Sequence, residues 1–207
     1  MKRIQWVMTA LLFGIVINVP ETHAQQIGIT GGMNIASLTG GIYSLSKDGP
    51  VIGGFARCNL IHGIVLEPEV IYSMKGGNGY RNAPGPGTSE LTLDYIEVPV
   101  LLSMKIFTLP VLPASFDVFA GPDFAFNVRA RDKNLAGNPL QGYDNDISGS
   151  MRLFDFNIAV GCGPNFNVGS IPLGLELRYT FGTGRVFKSG AGNWNNNIWS
   201  VMARAGF

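Results

Sequence analysis

A period of two, repeated along the chain, constrains folding more than any other feature. Apolar and polar side chains alternate over runs of roughly ten residues, the length and pattern of a membrane-crossing strand, and Gly-rich segments close each run. Ile64–Lys75 carries it most clearly. Ile64, Leu66, Pro68, Val70, Tyr72 and Met74 fall on one side; Val65, Glu67, Glu69, Ile71, Ser73 and Lys75 fall on the other. Successive side chains of a strand point to opposite faces, so this spacing separates an oily surface from a charged one. A helix, with 3.6 residues per turn, would mix the two sets.

The opening residues follow different logic. Lys2 and Arg3 give a basic start, Trp6–Val19 is mostly apolar, and Pro20 breaks the run. Thr22-His23-Ala24 then places small residues where a signal peptidase reads. We expect residues 1–24 to be a cleaved export signal and residues 25–207 to be one domain starting at Gln25. Processing would remove two of 15 basic residues (Lys2 and Arg3) and one of 14 acidic ones (Glu21), leaving 13 of each. A neutral chain has no long-range attraction for nucleic acid or for an acidic surface. After the signal no stretch is long and apolar enough to cross a bilayer as a helix, although 46% of residues are hydrophobic. The 28 glycines and 12 prolines suit turns between strands better than helices. Cys58 and Cys162 both fall on the apolar face of their segments and read as two separate wall residues rather than a bridge.

The pattern predicts strands over Gln26–Ser37, Val51–Leu60, Ile64–Gly76, Glu90–Lys105, Phe116–Arg129, Met151–Asn165, Leu173–Gly182 and Asn197–Phe207. Leu38–Pro50, Gly77–Ser89, Ala130–Ser150 and Thr183–Asn196 are long, polar links; Ile61–Gly63, Ile106–Ser115 and Phe166–Pro172 are short ones. Long and short alternate, as outside loops and periplasmic turns do in outer-membrane barrels. The expected fold is all-β: an eight-stranded antiparallel up-and-down transmembrane β-barrel with both termini in the periplasm. Tyr72, Tyr179 and Trp199 near the outer ends and Phe207 at the inner end fit interfacial girdles.

Alternation alone does not say which face is inside, since a soluble lipocalin-like barrel alternates around an apolar cavity. Three features favour the membrane version. The polar face is dense in glycine and in charges of both signs, the apolar face lacks Lys and Glu, and the last strand ends on Phe207. With the polar face inward, Arg57, Lys75, Lys105, Arg129, Arg178 and Arg204 meet Glu67, Glu69, Glu97, Asp117, Asp123, Asp155 and Glu176, six cations against seven anions. Eight strands leave a lumen just wide enough for side chains to fill. Buried charge must be paired, so we expect Arg57 to meet Glu67 or Glu69, and the set to form a polar plug rather than an ion path. Pro68, Pro99 and Pro122 sit within consecutive strands and should interrupt the hydrogen-bond ladder at similar heights.

Catalytic and cofactor motifs are missing from the sequence. His62 is the single histidine after the signal, it lies in a short periplasmic link, and no G-x-S-x-G occurs. Asp144, Asp146, Ser148, Gly149 and Asp155 have the spacing of a calcium loop, but Asp155 would face the lumen and a solvated Asx turn is the better reading.

Several segments resemble the PorT-like outer-membrane β-barrel family. They are Leu66-Glu67-Pro68-Glu69-Val70-Ile71-Tyr72-Ser73-Met74-Lys75-Gly76-Gly77, Tyr95-Ile96-Glu97-Val98-Pro99-Val100-Leu101-Leu102, Ala120-Gly121-Pro122 and Leu175-Glu176-Leu177-Arg178-Tyr179-Thr180-Phe181-Gly182. The resemblance implies an eight-stranded barrel of the bacterial outer membrane, with the prolines as a shared trait. It brings no catalytic residue. It does associate one named member with protein secretion, but the motifs describe the wall and not the loops. The expected role is therefore structural or interactive: a non-enzymatic barrel without cofactor that contacts outer-membrane lipid. Its long loops would meet an envelope or extracellular protein. A narrow channel or secretion accessory is the alternative.

Overall fold

The computed structural model describes residues 26–39, 45–80, 88–109, 114–134, 143–184 and 195–207. The expected signal at 1–24 and the middles of the outer links (40–44, 81–87, 135–142, 185–194) lie outside the described residues, as does 110–113. The strands are β1 (Gln26–Thr39), β2 (Leu45–Asn59), β3 (Ile64–Tyr80), β4 (Thr88–Leu109), β5 (Ala114–Asn134), β6 (Tyr143–Asp146), β7 (Phe154–Val168), β8 (Ile171–Gly182) and β9 (Asn195–Gly206). They neighbour one another in the order β4-β3-β2-β1-β9-β8-β7-β5, and a β4–β5 ladder closes the ring. All these pairings are antiparallel. Of the nine strands, β6 alone stands outside the ring, pairing with the upper end of β5. The remaining eight make the wall, so the expected barrel is the one observed.

The wall is taller than the alternation indicates. β4 runs for 22 residues and β5 for 21, about twice what a tilted strand needs to cross the hydrocarbon. Parts of all four long predicted links continue as strand: Leu38, Thr39 and 45–50; 77–80 with Thr88 and Ser89; 130–134; and Asn195 with Asn196. Above the membrane the outer face of the sheet meets water, so polar residues such as Arg131 and Lys133 replace the oily belt while Ala130 and Asp132 stay buried, and the apolar–polar alternation is lost.

Facing follows the period of two. On β8, Leu175, Leu177 and Phe181 are exposed outward, whereas Gly174, Glu176, Arg178 and Thr180 are buried inward. β7 repeats this with Phe154, Phe156 and Ile158 out and Asp155, Asn157 and Ala159 in. Ile27, Ile29, Met33, Ile52 and Val201 are each more than half exposed. A continuous belt of that kind is unsuited to water and suited to acyl chains. Rings gather near both rims: Tyr179 lies 4.6 Å from Trp199 at the outer end, and Phe107 stacks on Phe116 at 5.3 Å at the periplasmic end. Cys58 and Cys162 are unbonded, half-buried and on the outward phase of β2 and β7.

Pro68, Pro99 and Pro122 each coincide with a break in pairing. The β3–β4 ladder jumps from Pro68–Val100 to Ile71–Glu97, and the β4–β5 ladder from Pro99–Asp123 to Leu102–Ala120. The second gap spans Gly121 and Pro122. A ring without an amide hydrogen leaves the opposing carbonyl without its ladder partner. Pro164 marks a similar break between β7 and β8, where pairing passes from Cys162–Leu177 to Asn165–Gly174.

Candidate functional site

The lumen is the one place where this wall concentrates polar chemistry. At its periplasmic third, Arg57 of β2 contacts Glu67 of β3 at 2.9 Å and Asp117 of β5 at 3.1 Å. Glu67 also pairs with Arg204 of β9. Arg204 reaches Glu176 at 3.2 Å and Glu69 at 3.5 Å. Arg178 of β8 completes the circuit, bonding Glu176 at 2.6 Å and, straight across the lumen, Glu69 at 2.8 Å. Three guanidiniums and four carboxylates thus tie β2, β3, β5, β8 and β9 together. The Arg178 side chain is 3% exposed and that of Glu69 0%, so each group depends wholly on these contacts for what water no longer supplies.

Glycines in the wall make room for this network. Gly28 of β1 lies opposite Phe55, whose ring occupies the space a Cβ would take, and the Arg204 guanidinium stacks 4.0 Å above that ring. Gly161 of β7 lies opposite Phe119 in the same way, with Arg178 5.5 Å from the ring centroid. Each stack puts a flat cation on an aromatic face, a favourable contact that also fixes where the guanidinium points. Charge alternation alone gave no hint of these stacks. A glycine facing an aromatic at the same register is the signal that could have found them.

A second tier lies above. Lys75 pairs with Glu97 and sits 4.9 Å over the Tyr95 ring. The Tyr95 hydroxyl donates to Asp155 at 2.9 Å, and the Asn157 amide donates to Asp123 at 3.0 Å. Asn34, Ser73 and Ser200 join β1, β3 and β9 through bonds of 2.8 and 2.7 Å. Toward the outer end the polar filling gives way to Leu91, Leu93, Ala125, Ala130 and Met151, with Ile147 packed against them.

Two residues expected in the lumen are elsewhere. Arg129 is exposed on the outer face beside its register partner Asp94. The β4–β5 register passes from Tyr95–Asn127 to Asp94–Arg129, so Val128 is an extra, bulged residue. One inserted residue reverses the phase of everything beyond it, turning Ala130 and Asp132 inward and Arg129 outward. Lys105 keeps inward phase but stands exposed at the periplasmic mouth. Of the expected residues, the lumen therefore keeps four cations (Arg57, Lys75, Arg178, Arg204) and seven anions (Glu67, Glu69, Glu97, Asp117, Asp123, Asp155, Glu176) rather than six and seven, while Lys47, Asp94 and Asp132 are buried charges the alternation did not assign.

The calcium-like segment does not converge. Asp144 leans on Arg131 and Lys133 at 3.6 Å outside the barrel, while Asp155 is inside with Tyr95. Asp146 accepts the Ser148 amide at 2.9 Å, the expected Asx turn, and Ser148's side chain and backbone together hold that carboxyl below its usual range. Among the described residues no three His, Cys, Asp or Glu side chains gather as metal ligands. His62 occupies the β2–β3 turn with φ 55°, followed by Gly63 at 79°.

The family model described as an outer membrane protein beta-barrel domain matches residues 20–188. Two solved structures share the fold. Neisserial surface protein A is 16% identical, with TM-score 0.54 over 87% of this chain and 97% of that one. OprG from Pseudomonas aeruginosa is 9% identical, with TM-score 0.52 over 89% and 96%. Identities this low compare folds and not roles. No curated protein matches the chain.

Proposed function

Because the chain belongs to the outer membrane protein beta-barrel domain family, we propose that it serves the bacterial outer membrane as a closed, non-catalytic cylinder that works through its outer face. What supports closure is a single observation: Arg178 spans the lumen from Glu176 on its own strand to Glu69 on β3, with the apolar Leu91–Leu93–Met151 cap above it. A hydrated solute would have to break buried ion pairs and then cross a dry layer. The groups that remain free to meet a partner are on the outside, where β3, β4 and β5 rise above the membrane and β6 adds a short edge. An envelope or extracellular protein is the partner class we assign to that face. The finer kinship, to PorT-like barrels, rests on the wall motifs alone, and the export signal at 1–24 on the residue pattern.

Two measurements test this reading. Pure protein in planar bilayers gives no discrete conductance steps; reproducible steps would overturn the closed lumen. Crosslinking through single cysteines placed at Lys133 and Asn145 in native membranes captures a defined protein, and capture of lipid alone would overturn the partner assignment.

A further inference from the structure

Beneath the ion-pair floor the lumen opens toward the periplasm as a funnel of about 900 Å³. That volume is within the range of sites that hold small organic ligands, about 300–1,000 Å³. The β2–β3 and β7–β8 turns, the adjoining ends of β4 and β5, the start of β1 and the end of β9 surround it. Its charged side chains are Arg57, Lys105 and Arg204 against Asp117 alone. These cations are not equally spent. Arg204 is shared among Glu67, Glu69 and Glu176, yet its Nε, buried at the funnel floor, has no hydrogen-bond acceptor. Arg57 uses Nε and Nη2 on Glu67 and Asp117, and no ion pair engages its Nη1. Lys105 takes part in no ion pair among the described residues. Around the charges the inward-facing wall is mostly polar, with Asn59, Ser115, Asn165 and Asn167 beside the Phe55 ring.

We propose that this funnel is a binding site for a periplasmic anion, a carboxylate or phosphate carried on a group small enough to enter from below. The anionic end would sit against Lys105 and Arg57, and the remainder against Phe55 and the amides of Asn59, Asn165 and Asn167. Forked guanidinium donors and a mobile ammonium suit either oxyanion. Entry from the periplasm needs no opening of the lumen above, so the site is independent of the outward-facing role. Asp117 opposes an anion at this depth; what holds it is Lys105, which no ion pair among the described residues engages, with the unused donors of Arg57 and Arg204.

The test uses the folded full-length barrel, 15N-labelled, in neutral alkyl maltoside micelles at fixed ionic strength. Inorganic phosphate and an acetylated, amidated triglutamate are titrated in turn against chloride. The expected result is saturable movement of the Arg57 side-chain and Asn59 and Asn165 resonances with one or both probes, the tighter probe identifying phosphate or carboxylate as the natural chemistry. Lys105→Gln, an exposed change outside the floor, should weaken that binding about fivefold, as the loss of one solvent-screened charge at contact distance implies. Chloride-like, unsaturable shifts, or equal binding by the variant, would overturn the site. Conductance and partner capture would be unaffected in either case.

Discussion

The two ends of the lumen are closed by opposite means. Toward the outside, Leu91, Leu93, Ala125 and Met151 meet in an apolar layer that needs no partner geometry and admits no water. Toward the periplasm, Arg57, Arg178 and Arg204 bridge carboxylates from facing strands and leave an open funnel beneath them. An apolar seal tolerates imperfection, since its contacts are non-directional. A charged floor does not, because removing one member strands its partners in a medium that cannot solvate them. The barrel therefore couples a forgiving upper closure to an exacting lower one.

That contrast can be broken most severely at Arg178. Arg178→Met leaves Glu69 and Glu176 without their main cation and should cost about 3–5 kcal/mol of unfolding free energy. The readout is the urea midpoint followed by the fluorescence of Trp194 and Trp199, with heat-modified gel mobility as a check on folding. Adding Glu69→Gln and Glu176→Gln to the same variant should recover a large part of the loss. A single-variant cost below about 1 kcal/mol would mean the floor is no more demanding than the cap. Leu93→Ala, in the cap, should cost about 3 kcal/mol through a cavity. Its hydrogen exchange should rise at β4 and β5 near the outer end while the backbone around Glu67 stays protected. Tyr95→Phe, between the two zones, removes the donor to Asp155 and should cost about 1–2 kcal/mol in the same urea titration. Smallest of all, Arg131→Ala breaks a 3.6 Å contact with Asp144 in which both side chains are over 40% exposed. We expect less than about 0.5 kcal/mol, vanishing in 1 M salt; a larger effect would give the outer ribbon a structural weight comparable to the lumen.

Which parts of this were legible in the sequence follows from what a period of two can encode. Glu67, Glu176 and Arg178 could be assigned inward because their neighbours at one position removed, Leu66, Leu175, Leu177 and Tyr179, are apolar throughout. The Arg57–Glu67 contact followed from adjacency of the β2 and β3 segments. Arg129 was misassigned because the bulge at Val128 leaves no mark in composition: Asn127, Val128, Arg129 and Ala130 read as uninterrupted alternation. The height of β4 and β5 was hidden because Ala130 and buried Asp132 alternate with the more exposed Arg131 and Lys133, which leaves no oily face for the pattern to mark. The pairing of β6 with Arg131–Asn134 was illegible for the same reason. The stacking of Arg204 on Phe55 and of Arg178 on Phe119 needed knowledge of register, which two-fold periodicity leaves free by any even step.

The extra residue at Val128 has a further consequence for how such a chain can change length. Deleting it would leave Asn127 facing in, Arg129 out against Asp94 and Ala130 in against Leu93, so the ladder would run on without a bulge and every residue above would keep its side. A one-residue change of length on that strand is thus absorbed where a bulge can form or vanish. The same change between Ala130 and Asp132, with no bulge to take it up, would turn the residues above it to the opposite face.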